Sequence, residues 1–392
     1  MTGIRVLDLY SGMGGLSLGI ALALRPKEIV GLEINKHAVE TYNLNLARYN
    51  AKSVRVDVLE WHPGDKDYDL VVGGSPCQPF SYANTTKRGQ EHPYFPTLQR
   101  FFDLVLELEP SAFIHENVKG LLSQRHRHVY EEQIRRIKDS YVVAYGVLNS
   151  ADYGVPQKRQ RLFTIGIHRS LGKVPSLPIP THAEKPVWII FGTLSKWVTL
   201  REAIQDIMNI QPEIQTFSPR QIEQIRRKRQ RAPDRGSLPF PDNLDEPSRT
   251  ISSDTVQGSK RETIILPVTE HVMTPLGGWT NNSGWGSRIL NLDKPSYTIT
   301  EKHRSGQLVE GVYRRLTVRE ALRIQSFPDW WAFPPKTSIS TKFKLIGEAV
   351  PPILAYKIAR HLAILMGWEW YPPKPEDFKL PYFERAFPES IT

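Results

Sequence analysis

The chain holds a single cysteine, Cys77, in 392 residues. One thiol cannot close an intramolecular disulfide or supply a multi-cysteine metal site, so it is either small buried filler or a reactive group. Long hydrophobic runs are missing too: none approaches the roughly 20 residues of a membrane span. A strand pattern begins at residues 4–9, which leaves no room for an export signal. These absences point to a reducing, intracellular setting, and the expected location is the cytoplasm. Acidic residues are in deficit, 41 against 51 basic, for a net charge of +10. That balance favours a polyanionic partner and no membrane. With 40% apolar residues the chain can bury a core without a metal or disulfide staple, and its length suits two domains or one domain with an insertion.

What is present is an alternation of short apolar runs with helical patterns over the first 170 residues. Strands are expected at 4–9, 29–32, 68–72, 112–115, 141–148 and 162–167, and helices at 16–24 and 37–48. Leu98, Phe101, Phe102, Val105 and Leu108 recur at helical spacing and give a further helix one buried face. This pattern predicts an α/β fold around a doubly wound, mostly parallel sheet. The character changes near Leu171, where Pro175, Pro178, Pro180 and Pro186 make a stiff linker. Beyond it lie a dense basic run at 226–231 and a Gly-, Trp- and Asn-rich stretch at 277–286. Glu246–Ile251 and Lys294–Ile299 echo each other as similar turn-to-strand entries. A last apolar helix is expected at 352–365. The organisation reads as a catalytic and cofactor-binding domain at 1–174, a smaller irregular recognition domain at 175–335, and a segment at 336–392 that returns to the first domain.

Chemistry gathers at the strand ends, where open α/β sheets bind ligands. Cys77 stands in Gly73-Gly74-Ser75-Pro76-Cys77-Gln78, just past a buried strand. Pro76 fixes its own φ and pushes Ser75 towards extended geometry, so the sulfur emerges on a stiff turn. Asp8 to Gly15 follows the first strand and opens a helix, and its glycines let a ligand approach the backbone. Gly12 and Gly14 fill the first two positions of the dinucleotide fingerprint, while Ser17 occupies the third. Glu33 ends the second strand where ribose hydroxyls would be held, and Asp57 follows the third where an adenine amino group would be. Each acid alone reads as a surface carboxylate; three successive strand ends with such groups read as a nucleoside site. Glu116 leaves the next strand, either as a solvated carboxylate or as a protonatable partner for a ring nitrogen. The run Gln157 to Arg161 is a solvated face or a holder of anionic backbone. His126 and His128 read as surface charge, and no metal site is expected.

Taken in order, Asp8–Gly15, Glu33, Asp57, Pro76-Cys77-Gln78, Glu116-Asn117-Val118 and Gln157-x-Arg159-x-Arg161 lead on to Arg315-Leu316-Thr317-x-Arg319-Glu320, Gln325-x-Phe327-Pro328 and Gly347-x-Ala349-Val350. In that set the chain resembles the DNA cytosine-5 methyltransferases over nearly its whole length. The resemblance implies a Rossmann-like fold bound to S-adenosyl-L-methionine, with S-adenosyl-L-homocysteine as product. It implies methyl transfer to carbon 5 of a cytosine flipped out of duplex DNA. Cys77 would attack carbon 6, Glu116 would engage N3 and the exocyclic amine, and Arg159 and Arg161 would sit beside them. Tyr10, Ser11, Gly12, Gly14, Gly15, Glu33, Ile34, Asp57, Val58, Gly74, Pro76, Glu348, Ala349 and Val350 would hold the cofactor. A loop at 80–100 would close on DNA.

Ser81, Lys87, Arg88, Gln157, Arg226, Arg227, Trp279, Asn281, Asn282 and Arg288 are the expected DNA contacts. Asn, Ser and Arg between glycines suit base-edge reading at 279–288, whereas the run at 226–231 suits either phosphate or solvent. Three positions depart from the family. Ser75 replaces a small or apolar residue, Glu348 replaces the usual asparagine, and 92–95 lacks an expected Asp-x-Arg. Other expectations are a monomer and a restriction-modification system, with a cognate endonuclease acting on the same site without a stable complex. A tRNA cytosine-5 methyltransferase of the same fold is the alternative, but the roughly 140 residues between Leu171 and Arg315 exceed a mere connection. A catalytically silent DNA-binding regulator is the other reading.

Overall fold

The apolar runs of the first 170 residues become the strands of one sheet. β1 (Arg5–Leu9), β2 (Glu28–Glu33), β3 (Ala51–Arg55), β4 (Leu70–Gly74) and β5 (Ala112–Val118) are parallel neighbours in the order β3-β2-β1-β4-β5. β6 (Tyr141–Asn149), the two-residue β7 (Gln157–Lys158) and β8 (Gln160–His168) follow. β8 inserts antiparallel between β5 and β6, so the seven-stranded sheet is mixed at one edge, in the order β3-β2-β1-β4-β5-β8-β6. The computed structural model describes residues 3–64, 67–80, 92–185, 187–189, 192–207, 295–297, 306–309 and 312–388.

Successive strand residues face opposite sides, and here both sides are covered. Val6, Leu70, Val72, Ala112 and Ile114 enter one cluster, and Leu7, Leu9, Val71 and Phe113 the other. α1 (Gly15–Leu24) and α2 (Lys36–Leu46) cover the first face. Asn35 begins α2 by accepting from the His37 and Ala38 amides, which satisfies two of the helix's orphan donors. α3 (Pro96–Leu108) and α4 (Arg127–Ile137) cover the second face through Leu98, Phe101, Phe102, Val105, Tyr130 and Ile137.

The first cluster is completed from far along the chain. α5 (Leu200–Ile204), α6 (Val318–Ile324), α7 (Ile339–Glu348) and α8 (Pro352–Met366) all bury residues in it. Thr199 with Glu202 and Thr317 with Glu320 form reciprocal capping boxes that start α5 and α6. Arg323 on α6 grips Asp329 through Nε and Nη2, both at 2.7 Å, and reaches Asp206 through Nη1. The chain is thus back in the core at Leu316, ahead of the boundary expected at 335. The stretch Ile339–Met366 is apolar and long enough to cross a membrane, but it breaks into α7 and α8 around Pro351 and is mostly buried inside the protein. Phe378, Phe383 and Phe387, near the carboxyl end, stack on one another, and Phe387 meets Tyr356 of α8 at 5.4 Å.

Candidate active site

The carboxyl ends of β1, β2 and β3 build an open cradle. After β1 the backbone turns through Tyr10, Gly12 and Gly14, with φ of 59°, 54° and 97°, a region that costs glycine little. Tyr10 is held there by its hydroxyl, which donates to the Thr97 carbonyl at 2.9 Å. Beside Gly12 the space a side chain would fill is open. Glu33 closes the cradle, its Oε2 accepting from the Gly12 amide at 2.9 Å and its Oε1 from the Asn35 amide at 2.7 Å. Burial pushes its pKa up against those bonds. Ile34 next to it is 54% exposed, an apolar surface flanking a carboxylate. Ser11 donates its amide to Leu32. Asp57 accepts from the Leu59 amide at 2.9 Å, and Arg100 of α3 braces the same turn through the Val58 and Trp61 carbonyls.

Ser17 explains its own departure from the glycine fingerprint. It accepts from the Tyr42 hydroxyl at 2.8 Å and donates to Asp8 Oδ2 at 2.5 Å, beneath the turn. Burial raises the Asp8 carboxyl to about 7. On the cradle's far wall a Cβ at Gly15 would lie 2.2 Å from the Val350 carbonyl oxygen. Only glycine lets the start of α1 meet residues 347–350 so closely. Glu348 ends α7, 4.0 Å from Lys344, and the half-exposed carboxylate is followed by buried Ala349 and Val350.

Sheet register sets the other half of the site. Gly74 on β4 lies opposite Glu116 on β5, and a Cβ at Gly74 would stand 2.7 Å from Glu116 Oε2. The glycine makes room for the carboxylate. Pro76 and Cys77 follow on a turn closed by the Phe80 amide donating to the Cys77 carbonyl at 3.0 Å, and both are half-buried. On β8, Phe163 pairs with Glu116, which makes Arg161 a diagonal neighbour on the same face. Its Nε lies 3.1 Å from Glu116 Oε1. Arg159 is buried, with Nη1 donating to the Gly347 carbonyl at 2.9 Å, while its Nε has no hydrogen-bond partner among the described residues. Burial and the Arg161 charge bring Arg159 down to about 9. Burial also raises Glu116 against the pull of both arginines.

Cys77, Glu116, Arg159 and Arg161 therefore converge as expected, and Gly74 and Pro76 sit with them. Gln157 does not face outward as a DNA contact would. It is fully buried, its Nε2 donating to Gln325 Oε1 at 2.6 Å, and Gln325 Nε2 donates to the Ala349 carbonyl at 2.5 Å. The cause is β7, which pairs with Ser296–Tyr297 and turns Gln157 inward. His126 is likewise no surface charge: it is buried with its ring 5.6 Å from that of Phe80. Where Asp-x-Arg was expected, the Tyr94 amide donates to His92 Nδ1 at 3.1 Å in the turn that enters α3. Ser81, Lys87, Arg88, Arg226, Arg227, Trp279, Asn281, Asn282 and Arg288 lie outside the described residues. Among the described residues no three His, Cys, Asp or Glu side chains gather as metal ligands would. Arg100 and Gln325 were missed as bracing residues; each acts on a backbone carbonyl, which no side-chain motif announces.

The surroundings of the thiol disfavour its ionised form. Burial pushes the Cys77 pKa up; Arg161 opposes that shift, and the Glu116 and Glu348 carboxylates add to it. Iodoacetamide reacts with thiolate, so alkylation of this sole cysteine, followed by intact mass, should have its pH midpoint above that of an ordinary thiol. Glu348→Asn, which removes a negative charge, should bring the midpoint down. A midpoint unmoved by that substitution would place Glu348 out of electrostatic reach of the sulfur.

A glycine turn after β1, an acid ending β2 and a thiol after β4 stand together at the strand ends of an α/β methyltransferase fold. The family described as C-5 cytosine-specific DNA methylase matches residues 4–363. The type II methyltransferase M.AplI of Arthrospira platensis is 30% identical over 96% of this chain and 92% of that relative. M.FnuDI of Fusobacterium nucleatum is 29% identical over 92% and 94%. Among solved structures, a putative DNA modification methyltransferase encoded within an E. coli prophage has a TM-score of 0.60 at 22% identity, covering 93% of this chain and 99% of that one. DNMT2 of Spodoptera frugiperda has a TM-score of 0.58 at 15% identity, covering 93% and 99%, and both structures share the fold. The chain belongs to the C-5 cytosine-specific DNA methylases.

Proposed function

We propose that this enzyme methylates carbon 5 of a cytosine extruded from one specific duplex DNA sequence, through a covalent bond between Cys77 and carbon 6. The observation that carries the reading is the convergence of a half-open thiol, a buried carboxyl and two arginines at adjoining strand ends, beside a glycine cradle. The cradle fits S-adenosyl-L-methionine: Glu33 suits ribose hydroxyls, Ile34 offers an apolar face, and the open side of Gly12 admits a ligand against the backbone. Tyr10 to Gly15, Glu33, Ile34, Asp57, Val58, Gly74, Pro76 and 348–350 would hold it. When bound, that cofactor supplies an electrophilic methyl group.

Carbon 5 of cytosine is a weak nucleophile. Addition of the Cys77 thiolate to carbon 6 turns the ring into an enamine, its electron pair displaced towards carbon 5 and N3. Glu116, whose carboxyl is biased towards its protonated form by burial, gives its proton to N3 and accepts from the exocyclic amine. Arg161 holds that carboxyl in place, and the partnerless Nε of Arg159 is available to a carbonyl oxygen of the base. The activated carbon 5 takes up the methyl group; carbon 5 then gives its proton to water and the thiolate departs from carbon 6, which restores the aromatic ring, and N3 returns its proton to Glu116. A stacked base cannot present the face of carbon 6, so extrusion is required.

Sequence recognition is assigned to the stretch between Ile207 and Leu316, because the chain packs on the core up to Ile207 before it and again from Leu316 after it. The names of the curated relatives, type II methyltransferases, support a modification role; an endonuclease of the same specificity is the partner this reading expects. Incubating the protein with labelled methyl donor and either duplex DNA or tRNA, then sequencing methylcytosines, tests this. Label in one duplex context is expected. Label mainly in tRNA would overturn the duplex reading, and none in either would favour a silent regulator.

A further inference from the structure

The thiol turn is anchored from behind by groups that the reaction does not touch. Alternation along β5 sends Glu116 to one side of the sheet and His115 and Asn117 to the other. The same alternation past Gly74 sends Ser75 to meet them. Asn117 Nδ2 donates to Ser75 Oγ at 2.9 Å and to the Ser75 carbonyl at 3.2 Å. The Val118 amide donates to Asn117 Oδ1 at 2.8 Å, which fixes the amide's orientation. Ser75 Oγ thus accepts from Asn117 and has its own hydrogen to give to His115 Nε2, 2.9 Å away. All three side chains are buried. The imidazole is in turn wedged against α3, with ring centroids 4.7 Å from Phe101 and 5.3 Å from Phe102.

We infer that Ser75 and His115 are positioning residues for the nucleophile: the pair locks the Pro76–Cys77 turn to β5 and to α3, and so sets where the sulfur stands. His115 is the partner that gives the Ser75 hydroxyl a purpose. Burial with no compensating charge holds His115 near 3, so it stays neutral and its bond to Ser75 persists across the working pH range. α3 braces the other strand ends too, through Thr97 on Tyr10 and Arg100 on the Val58 turn. Through His115 it reaches the thiol turn as well. Among the described residues His115 Nδ1 has no hydrogen-bond partner, so Ser75 is the one polar anchor of this ring.

The inference rests on Cys77 being the nucleophile, and the test separates the two. Duplex DNA carrying 5-fluorocytosine at the target is mixed with cofactor and either the parent protein, Ser75→Ala, His115→Phe or His115→Gln, and adduct formation is timed by intact mass. Ser75→Ala and His115→Phe should slow the adduct and kcat together by about ten- to a hundredfold, the scale of a misplaced reacting atom. Affinities for DNA and S-adenosyl-L-homocysteine should change by less than about twofold. His115→Gln, which can still bond to Ser75, should recover most of the rate. Parent protein that forms no adduct overturns the Cys77 reading itself. A parent adduct with Ser75→Ala equally fast overturns the positioning role alone, as does a loss that His115→Gln shares in full or that tracks weakened cofactor and DNA binding.

Discussion

Replacing Cys77 with serine should remove methyl transfer by at least about a thousandfold, some 4 kcal/mol of barrier, while DNA binding persists. The argument is one of protonation and nucleophilicity. A serine hydroxyl ionises far above any working pH, and Glu116 is a poor base to take its proton. Glu116 is raised in pKa by burial and is committed to Arg161 at 3.1 Å. A thiol, even one raised by burial, still reaches its thiolate within an accessible range. The fold itself should tolerate the change, since Cys77 is half-buried and forms no disulfide. DNA containing 5-fluorocytosine supplies the complementary result: fluorine cannot leave as a proton does, so the adduct accumulates on the parent protein and is absent from Cys77→Ser. With one cysteine in the chain, the mass shift locates itself. Turnover by Cys77→Ser near the parent rate would sink the covalent mechanism.

The strand ends were legible because hydrophobic run length and glycine placement are local properties. Asp8–Gly15, Glu33, Cys77 and Glu116 each follow an apolar run, and each stands at a strand's carboxyl end. What sequence could not supply was register. Gly74 facing Glu116, and Phe163 doing so from an antiparallel strand, decide that Arg161 and the thiol turn share one carboxyl. The Arg159 bond to Gly347 spans 188 residues and has no local signature. Gln157 shows the same limit from the other side. Its motif position suggested an outward role, and only pairing with Ser296–Tyr297 and the bond to Gln325 turn it inward. The strand expected at 112–115 runs on to Val118, and period-two alternation along it then puts His115 and Asn117 on the face opposite Glu116. That Ser75 would lie between them needed the register again.

Glu116→Gln is the sharpest test of how the ring is activated. Glutamine keeps the carboxyl's shape and can still donate to N3 and accept from the amine, but it has no proton to transfer. A fall of about a hundred- to ten-thousandfold in kcat is expected if proton donation matters, the usual worth of a general acid. The pH profile makes the assignment specific. The productive parent form has Cys77 as thiolate and Glu116 protonated, and burial raises both groups above their ordinary values. With the thiol the weaker acid, kcat/KM should rise with pH while Glu116 stays protonated. It should then level as Glu116 ionises, and fall once Cys77 is fully thiolate and only the loss of protonated Glu116 continues. In Glu116→Gln just the thiolate is required, so the residual rate should climb through the Cys77 range and level without falling. The midpoint of that climb should lie below the midpoint of the parent's alkaline fall, because the carboxylate that raised the thiol is gone. An alkaline fall that survives the substitution would mean that the proton at N3 comes from elsewhere, and Glu116 would keep only its hydrogen-bonding part.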